Sequence, residues 1–301
     1  MTNTLITIVG ATAIGKTALS IKLAQHFGCD IISCDSRQFY KEMKIGTAVP
    51  DENELNSAPH HYIQNRSIFE DYNVGQFEKD ALATLTVLFK KNPTQIMVGG
   101  SGLYVDAVLK GLDYFPDVNP QIRIDLTQQL EEKGITHLQE QLEKLDIEAF
   151  NTIAINNPHR LTRALEICIG TNKTYSSFKN NPKAPRNFKS IKIGLTADRE
   201  IMYNRINKRV DIMMESGLLE EAKKLYNHKH LNALQTVGYR ELFSFFDGDF
   251  TLDFAIEEIK KNTRRFAKRQ GTWFRKDPNI NWFDFEENHL TIVSKINSLL
   301  E

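Results

Sequence analysis

No stretch of this 301-residue chain approaches the ~18 consecutive apolar residues that a membrane-spanning helix needs, so no helical span is expected. Cysteine is scarce as well. Cys29, Cys34 and Cys168 show no metal-ligand spacing, and an odd count argues against a disulfide framework, so a reducing, cytoplasmic setting is expected. Net charge is absent: 38 basic residues balance 38 acidic ones, so only the distribution of charge can point to a partner. Met1-Thr2-Asn3-Thr4 leads straight into an apolar run, without the basic start and long apolar core of a secretion signal. Internal repeats and low-complexity tracts are missing too. At this length the chain suits one large domain or two smaller ones.

What is present begins at Leu5. Leu5 to Val9 is apolar and rich in β-branched residues, which reads as a buried strand. Gly10-Ala11-Thr12-Ala13-Ile14-Gly15-Lys16-Thr17 follows it, a Gly-x-x-x-x-Gly-Lys-Thr phosphate-binding loop. Its glycines let the backbone turn tightly and aim N–H groups at phosphate oxygens. Lys16 would hold two phosphates, Thr17 could ligate magnesium (Mg2+), and the helix from Ala18 to Phe27 would point its positive end at the anion. Whose phosphates these are, and whether any nucleoside triphosphate binds, the loop leaves open.

A second strand, Asp30 to Cys34, completes one βαβ unit of a parallel sheet. Residues 40–72 read as loop-rich, with Pro50, Pro59 and scattered polar residues. A helix over Val74 to Lys90 precedes a strand at Gln95 to Val98, which closes on Gly99-Gly100-Ser101 before a helix over Leu103 to Leu109. Residues 118 to about 178 look helical throughout, and the Pro-bearing connector 179–187 returns the chain to a strand at Ser190 to Leu195. Helices are expected over about 199–214, 217–227, 238–246 and 251–275. A short strand at Ile280 to Phe283 and a last helix follow. The expected class is α/β: a P-loop NTPase-like parallel sheet core flanked by helices. Residues 1–117 are its first part, 118–187 a helical insertion domain, and 188–301 the completion with basic C-terminal helices.

Open parallel sheets bind ligands outside the carboxyl ends of their strands. Three strands end in permissive or reactive residues, at Gly10 to Thr17, at Asp35-Ser36 and at Gly99 to Ser101, and a parallel sheet would bring them to one crevice. Asp35 could cap a turn, hold the metal or accept a proton; Ser101 could cap the helix after it. The strand Gln95 to Val98 lacks the metal-binding acid that ATP-driven motors carry there. The basic residues Lys260, Lys261, Arg264, Arg265, Lys268, Arg269, Arg275 and Lys276 fall in 17 residues without an acid, with Phe266, Trp273 and Phe274 interleaved. Such a single-sign stripe suits a phosphate backbone better than the alternative, a solvated helix face, which usually alternates signs. His159-Arg160-Leu161-Thr162-Arg163 and the 179–192 connector add cations, while Asp and Glu concentrate in 113–148.

These residues resemble one family. Gly10 to Thr17, Ile32 to Ser36, Met43-Lys-Ile-Gly-Thr-Ala48, Gly99 to Tyr104, Arg160 to Glu166, Arg205 to Asp211, Val237-Gly-Tyr-Arg240, Ala267-Lys-Arg-Gln270 and Trp273-Phe274 follow the order of the tRNA dimethylallyltransferases. The likeness runs from about residue 5 to 285. Ala11 stands where Pro is usual and Ser101 where Thr is common. The zinc finger of some eukaryotic members is absent, which suggests a bacterial-type enzyme. The resemblance implies transfer of a dimethylallyl group from dimethylallyl diphosphate to the exocyclic amine of the adenosine beside the anticodon of tRNA, with Mg2+ as cofactor. A monomer with no membrane partner is expected. Lys16, the loop amides and Thr17-bound Mg2+ would then stabilise the leaving diphosphate, with Arg209, or Arg205 on the same helix, as a second clamp. Asp35 would be the general base and Ser101 would orient the amine. By position, Asp35, Ser36, Arg37 and Gln38, Ser101, Arg123, His159, Arg160, Leu161, Thr162 and Arg163 correspond to tRNA-contacting segments. So do Gln235, Thr236, Val237, Gly238, Tyr239 and Arg240, and the basic stripe adds Arg264, Arg265 and Lys268. His60 and His61 stay unassigned, since two ligands without a third favour packing over metal binding. Rival readings are a P-loop kinase, prenyl transfer to free AMP or ATP, and an RNA-binding module without chemistry. The first two leave the basic stripe without a role, and the last leaves Lys16 and Asp35 without one.

Overall fold

The computed structural model describes residues 2–181 and 183–301 and divides the chain into two units, Met1–Lys110 with Arg186–Glu301, and Gly111–Pro185. The first unit is built on a six-stranded sheet. In chain order its elements are β1 (Thr4–Gly10), α1 (Lys16–Phe27), β2 (Ile31–Ser33), α2 (Glu52–Ser57), β3 (His60–His61), α3 (Val74–Leu88), β4 (Thr94–Val98) and α4 (Gly102–Lys110). The second unit holds α5 (Pro120–Leu145), α6 (Ile147–Thr152) and α7 (Pro158–Thr171). The first unit then resumes with β5 (Lys189–Thr196), α8 (Arg199–Glu215), α9 (Leu218–Leu225), α10 (Tyr239–Phe246), α11 (Leu252–Phe274), β6 (Ile280–Asp284) and α12 (His289–Leu300).

The strands run in the order β3-β2-β4-β1-β5-β6, and every pairing is parallel. β1 lies inside the sheet and is buried along its whole length, as a strand covered on both faces must be. Its side chains alternate. Ile6 and Ile8 join α1 and α12 in one apolar layer, while Leu5 and Val9 join α3 and α4 in the other. A third apolar cluster, around Met43, Leu218, Tyr239, Leu242 and Ile259, seats α9, α10 and α11. Because β2, β4 and β1 are neighbours, the three loops that leave their carboxyl ends meet above the middle of the sheet. That is the crevice expected from the sequence.

Residues 40–72 are loop-rich, with two short regular elements. α2 begins with a capping box between Asp51 and Glu54, and β3 extends the sheet by two residues. His61 Nε2 lies 2.8 Å from Asp30 Oδ2, so this histidine is engaged in a hydrogen bond to a carboxylate. Among the described residues no group of three His, Cys, Asp or Glu could hold a metal ion, and no helix is long and apolar enough to cross a membrane.

The second unit starts at Gly111, where φ is +83°, and 111–119 form neither helix nor strand ahead of α5. It is not one continuous helix: α5 breaks at Gly134 (φ +77°), and Pro120 and Pro158 open α5 and α7 in their first turns. It has its own core of Leu126, Leu138, Leu142, Leu161, Leu165 and Cys168.

Candidate active site

Gly10 (φ +148°) and Gly15 (φ +107°) bracket the loop after β1 in backbone conformations that side chains rarely adopt. A Cβ on Gly10 would lie 2.8 Å from the Leu195 carbonyl oxygen, so the start of the loop is fixed against β5. Lys16 folds back and donates to the Ala11 carbonyl at 2.8 Å. Burial pulls its ammonium down to about 8, against the support of the Asp35 carboxylate, and the nearby Arg209 guanidinium lowers it further. Ala13 (φ +62°) takes the left-handed conformation at some strain, and its carbonyl accepts from Arg205 Nε at 2.9 Å.

The two arginines of α8 thereby separate. Arg205 is tied to the loop backbone and rests on the Phe285 ring, 4.8 Å from its centroid. The Arg209 guanidinium has no hydrogen-bond partner among the described residues and faces the cleft, where burial lowers its pKa and Asp35 and Glu54 raise it. The Thr17 hydroxyl likewise has no hydrogen-bond partner among the described residues, whereas Thr171, Thr263 and Thr272, on later helices, each donate to the carbonyl four residues back.

Asp35 follows β2. Its Oδ1 accepts the Arg37 amide at 3.2 Å, so the turn-capping role is real and occupies one oxygen. Ser101, just past β4, accepts the Ser36 amide at 3.3 Å and meets the Ser36 hydroxyl at 3.2 Å. Gln38 donates to the carbonyls of Thr47 and Ala48, and Arg37 donates to those of Asn232 and Ala233 at 2.9 and 3.0 Å. Both side chains are committed to holding segments of the protein together.

The segment Met43–Ala48 crosses this region as a strap. Glu221 on α9 fixes it, accepting the amides of Lys44, Ile45 and Gly46 and the hydroxyl of Tyr239. Gly46 must be glycine here, since a Cβ would come within 2.6 Å of the Tyr239 ring. Gln270 on α11 is a second fixture: it accepts from the Thr12 amide and donates to the Gly100 carbonyl. Sequence reasoning missed the parts played by Glu221 and Gln270.

Two clefts result. The larger, about 1030 Å³, is lined by the phosphate loop, Asp35, the strap and, from α8, Arg209, Ile212 and Met213. The smaller, about 550 Å³, is lined by Asp35, Ser36, Ser101, Tyr104, Phe266 and Trp273 among others. Thr12, Asp35, Thr47, Arg209 and Met213 border both. One cleft therefore offers cations and amides to an anion, the other offers aromatic faces and hydroxyls to a flat polar group, and a carboxylate stands where they join.

The remaining sequence candidates divide. Gln235, Thr236, Val237, Gly238 and Arg240 line the smaller cleft, but the Tyr239 side chain is fully buried and points to Glu221. In the second unit His159 and Arg160 are exposed and Thr162 is half-buried. Leu161 is a correction: it has no exposed surface and belongs to that unit's core. Arg123 and Arg163 both pair with Glu166, at 2.7 and 3.0 Å. The basic stripe is also less uniform than its sequence. Lys260 pairs with Asp211 and Glu257, and Lys261 pairs with Glu258, because acids from α8 and the preceding turn of α11 lie beside them. Arg264 donates to Asn207 at 2.6 Å and stacks on Tyr203. Arg265 and Lys268 are exposed.

A phosphate loop on a parallel sheet, opposed by a second cleft across a shared carboxylate, defines a P-loop-type group transferase. The model of the IPP transferase family matches residues 38–277. The chain is 61% identical to the tRNA dimethylallyltransferase of Flavobacterium psychrophilum, over 99% of both chains, and 63% identical to that of Christiangramia forsetii, again over 99% of both. The crystal structure of the full-length tRNA isopentenylpyrophosphate transferase from Bacillus halodurans superposes with a TM-score of 0.73 at 36% identity, covering 99% of this chain and 95% of that one. A eukaryotic dimethylallyltransferase acting on tRNA gives 0.79 at 27% identity, over 94% of this chain and 74% of that one. The chain belongs to the IPP transferase family.

Proposed function

We propose that this family member moves a dimethylallyl group from dimethylallyl diphosphate to the exocyclic amine of the adenosine on the 3' side of the anticodon in tRNA. The observation that carries the reading is the junction of the two clefts at Asp35 and Arg209. The larger cleft takes the diphosphate on the loop amides, Lys16 and Arg209, with the prenyl chain against Ile212 and Met213. The smaller cleft takes the adenine, which has to leave the anticodon-loop stack to reach it. Trp273 and Phe266 supply faces for its ring.

The reaction breaks the bond between the allylic carbon and the bridging diphosphate oxygen, and the electron pair leaves with diphosphate. The amine nitrogen bonds to the same carbon and its proton passes to Asp35. Negative charge grows on the leaving group, so Lys16, the loop amides and Arg209 stabilise the transition state more than the bound substrate. Ser101, paired with Ser36 beside the base, orients the amine. Thr17, whose hydroxyl has no partner among the described residues, suits one ligand of a Mg2+ held mainly by diphosphate oxygens, as this ion is in phosphate sites. When bound, the ion would neutralise diphosphate charge.

The deciding experiment offers labelled dimethylallyl diphosphate with tRNA, an anticodon stem-loop, or AMP. Label in tRNA and stem-loop, with none in AMP, is expected. Label in AMP alone, or phosphorylation of a nucleoside by ATP with no prenyl transfer, would overturn the reading.

A further inference from the structure

Gln270 is 6% exposed, and both ends of its side chain are engaged. Oε1 accepts the Thr12 amide at 2.9 Å, 258 residues away in sequence, and Nε2 donates to the Gly100 carbonyl at 2.9 Å, 170 residues away. The Thr12 amide belongs to the same peptide plane as the Ala11 carbonyl that Lys16 holds at 2.8 Å, so this plane of the phosphate loop is fixed at both its polar ends. Gly100 precedes Ser101, whose hydroxyl meets Ser36 beside Asp35. One carboxamide thus joins the loop that cradles the leaving group to the turn that faces the incoming amine.

A carboxamide can do both because it carries an acceptor and a donor on one planar group. A carboxylate would keep the bond from Thr12 but lose the donor to Gly100, and would set a negative charge beside the diphosphate. The turn is shaped to receive it. A Cβ on Gly100 would stand 2.2 Å from Gln270 Nε2, although the Gly100 backbone is outside the left-handed region. The helix has a second tie beside this clasp. Trp273, one turn further on, packs on Gly102 and donates to Asp106 at 3.0 Å.

We propose that Gln270 is a positioning residue that sets the separation between the diphosphate cradle and the amine-orienting turn, so that the allylic carbon meets adenine nitrogen and not water. It rests on the transfer reading above. Displacements of about 1 Å can cost ~10²-fold in a reaction that depends on alignment.

Gln270→Met removes the polar ends at nearly constant volume. Gly100→Ala leaves Gln270 in the chain but pushes its carboxamide away, and the flexible end of that side chain can yield without moving backbone. Each variant of the full-length protein is taken through a melting curve, dissociation constants for dimethylallyl diphosphate and tRNA, and a single-turnover reaction that counts both modified tRNA and dimethylallyl alcohol. The alcohol forms when water attacks the allylic carbon, diphosphate leaves with the C–O electron pair, and the spare water proton passes to solvent. Both variants are expected to lose ~10–100-fold in transfer rate, to keep both dissociation constants within about threefold, and to release a larger share of alcohol. The double variant should be no slower than the slower single one, since both break one clasp. Wild-type rates in both folded variants would overturn the proposal. So would a rate loss matched by equal loss of diphosphate affinity, which would make Gln270 part of the anion site alone. A wild-type protein that transfers nothing to tRNA refutes the transfer reading instead, so the two failures are distinct.

Discussion

Asp35 carries two duties that one substitution can separate. Asn at this position keeps an oxygen for the Arg37 amide, which the wild-type Oδ1 caps at 3.2 Å, but cannot take a proton. Asp35→Asn should lower the single-turnover rate by ~10²–10⁴ while leaving the melting temperature and diphosphate affinity near wild type. A variant with wild-type turnover would return Asp35 to turn capping alone. Lys16 makes a pH prediction. Its pKa in the free protein, about 8, lies below the ordinary lysine value of 10.5. Between those values the unfolded chain holds more protons than the folded one, so the burden of the buried charge is full below pH 8 and is relieved as pH rises towards 10.5. Lys16→Met should therefore melt higher than wild type at pH 7, with the gap closing in alkaline buffer. Diphosphate needs the charged form, so its affinity should weaken as pH passes 8, and binding at pH 9 should take up a proton. Calorimetry in buffers of different ionisation enthalpy reads that uptake directly.

α11 was legible as a helix because its apolar positions recur with helical spacing, and the eight cations from Lys260 to Lys276, six of them within it, were legible as a stripe. What they touch was not. Lys260 meets Asp211 from α8, and Arg264 meets Asn207, partners set by packing and invisible in a local window. The helix therefore divides by function. Neutralising Arg265 and Lys268, which are exposed, should flatten the slope of log tRNA affinity against log salt by ~0.7–0.9 for each phosphate that is no longer neutralised. Arg264→Ala should act mainly on the melting temperature, because it removes a hydrogen bond and a stack that dock α11 on α8. An unchanged slope in the folded double variant would make the stripe a solvated face. The strap shows the same blindness to distant partners. The phosphate loop, Asp35 and the Gly99–Ser101 turn could be found from local pattern, since each follows a buried strand. Glu221 sits in an ordinary charged helix 177 residues from Lys44, and nothing nearby marks it as the anchor of three amides. Leu161 erred the other way, a core residue hidden in a cationic motif. Glu221→Ala should cost about 3 kcal/mol or more, on the scale of hydrogen bonds to a charged group, and denaturant melts would measure it.

Each of the two units closes apolar clusters of its own, and the sheet unit holds the ends of its own interruption together. Arg186 donates to the carbonyls of Ala107 and Val108 and pairs with Glu78, so the chain leaves and re-enters the sheet domain at one spot. Replacing 111–185 by a short Gly-Ser linker should leave a folded core that binds dimethylallyl diphosphate within about threefold of wild type and binds tRNA more weakly. An unfolded product would show that the sheet domain depends on the insertion. The insertion also bears on how the chain is made. β1 needs β5 along its whole length, and β5 begins at Lys189. A ribosome adding ~5–20 residues per second delivers β5 on the order of ten to forty seconds after β1. The helical unit, whose core is drawn from 111–185 alone, can be finished in that interval. During it the nascent β1, apolar on both faces, waits with one edge unpaired, so the half-made sheet is the point in this protein's life when chaperones have most to protect.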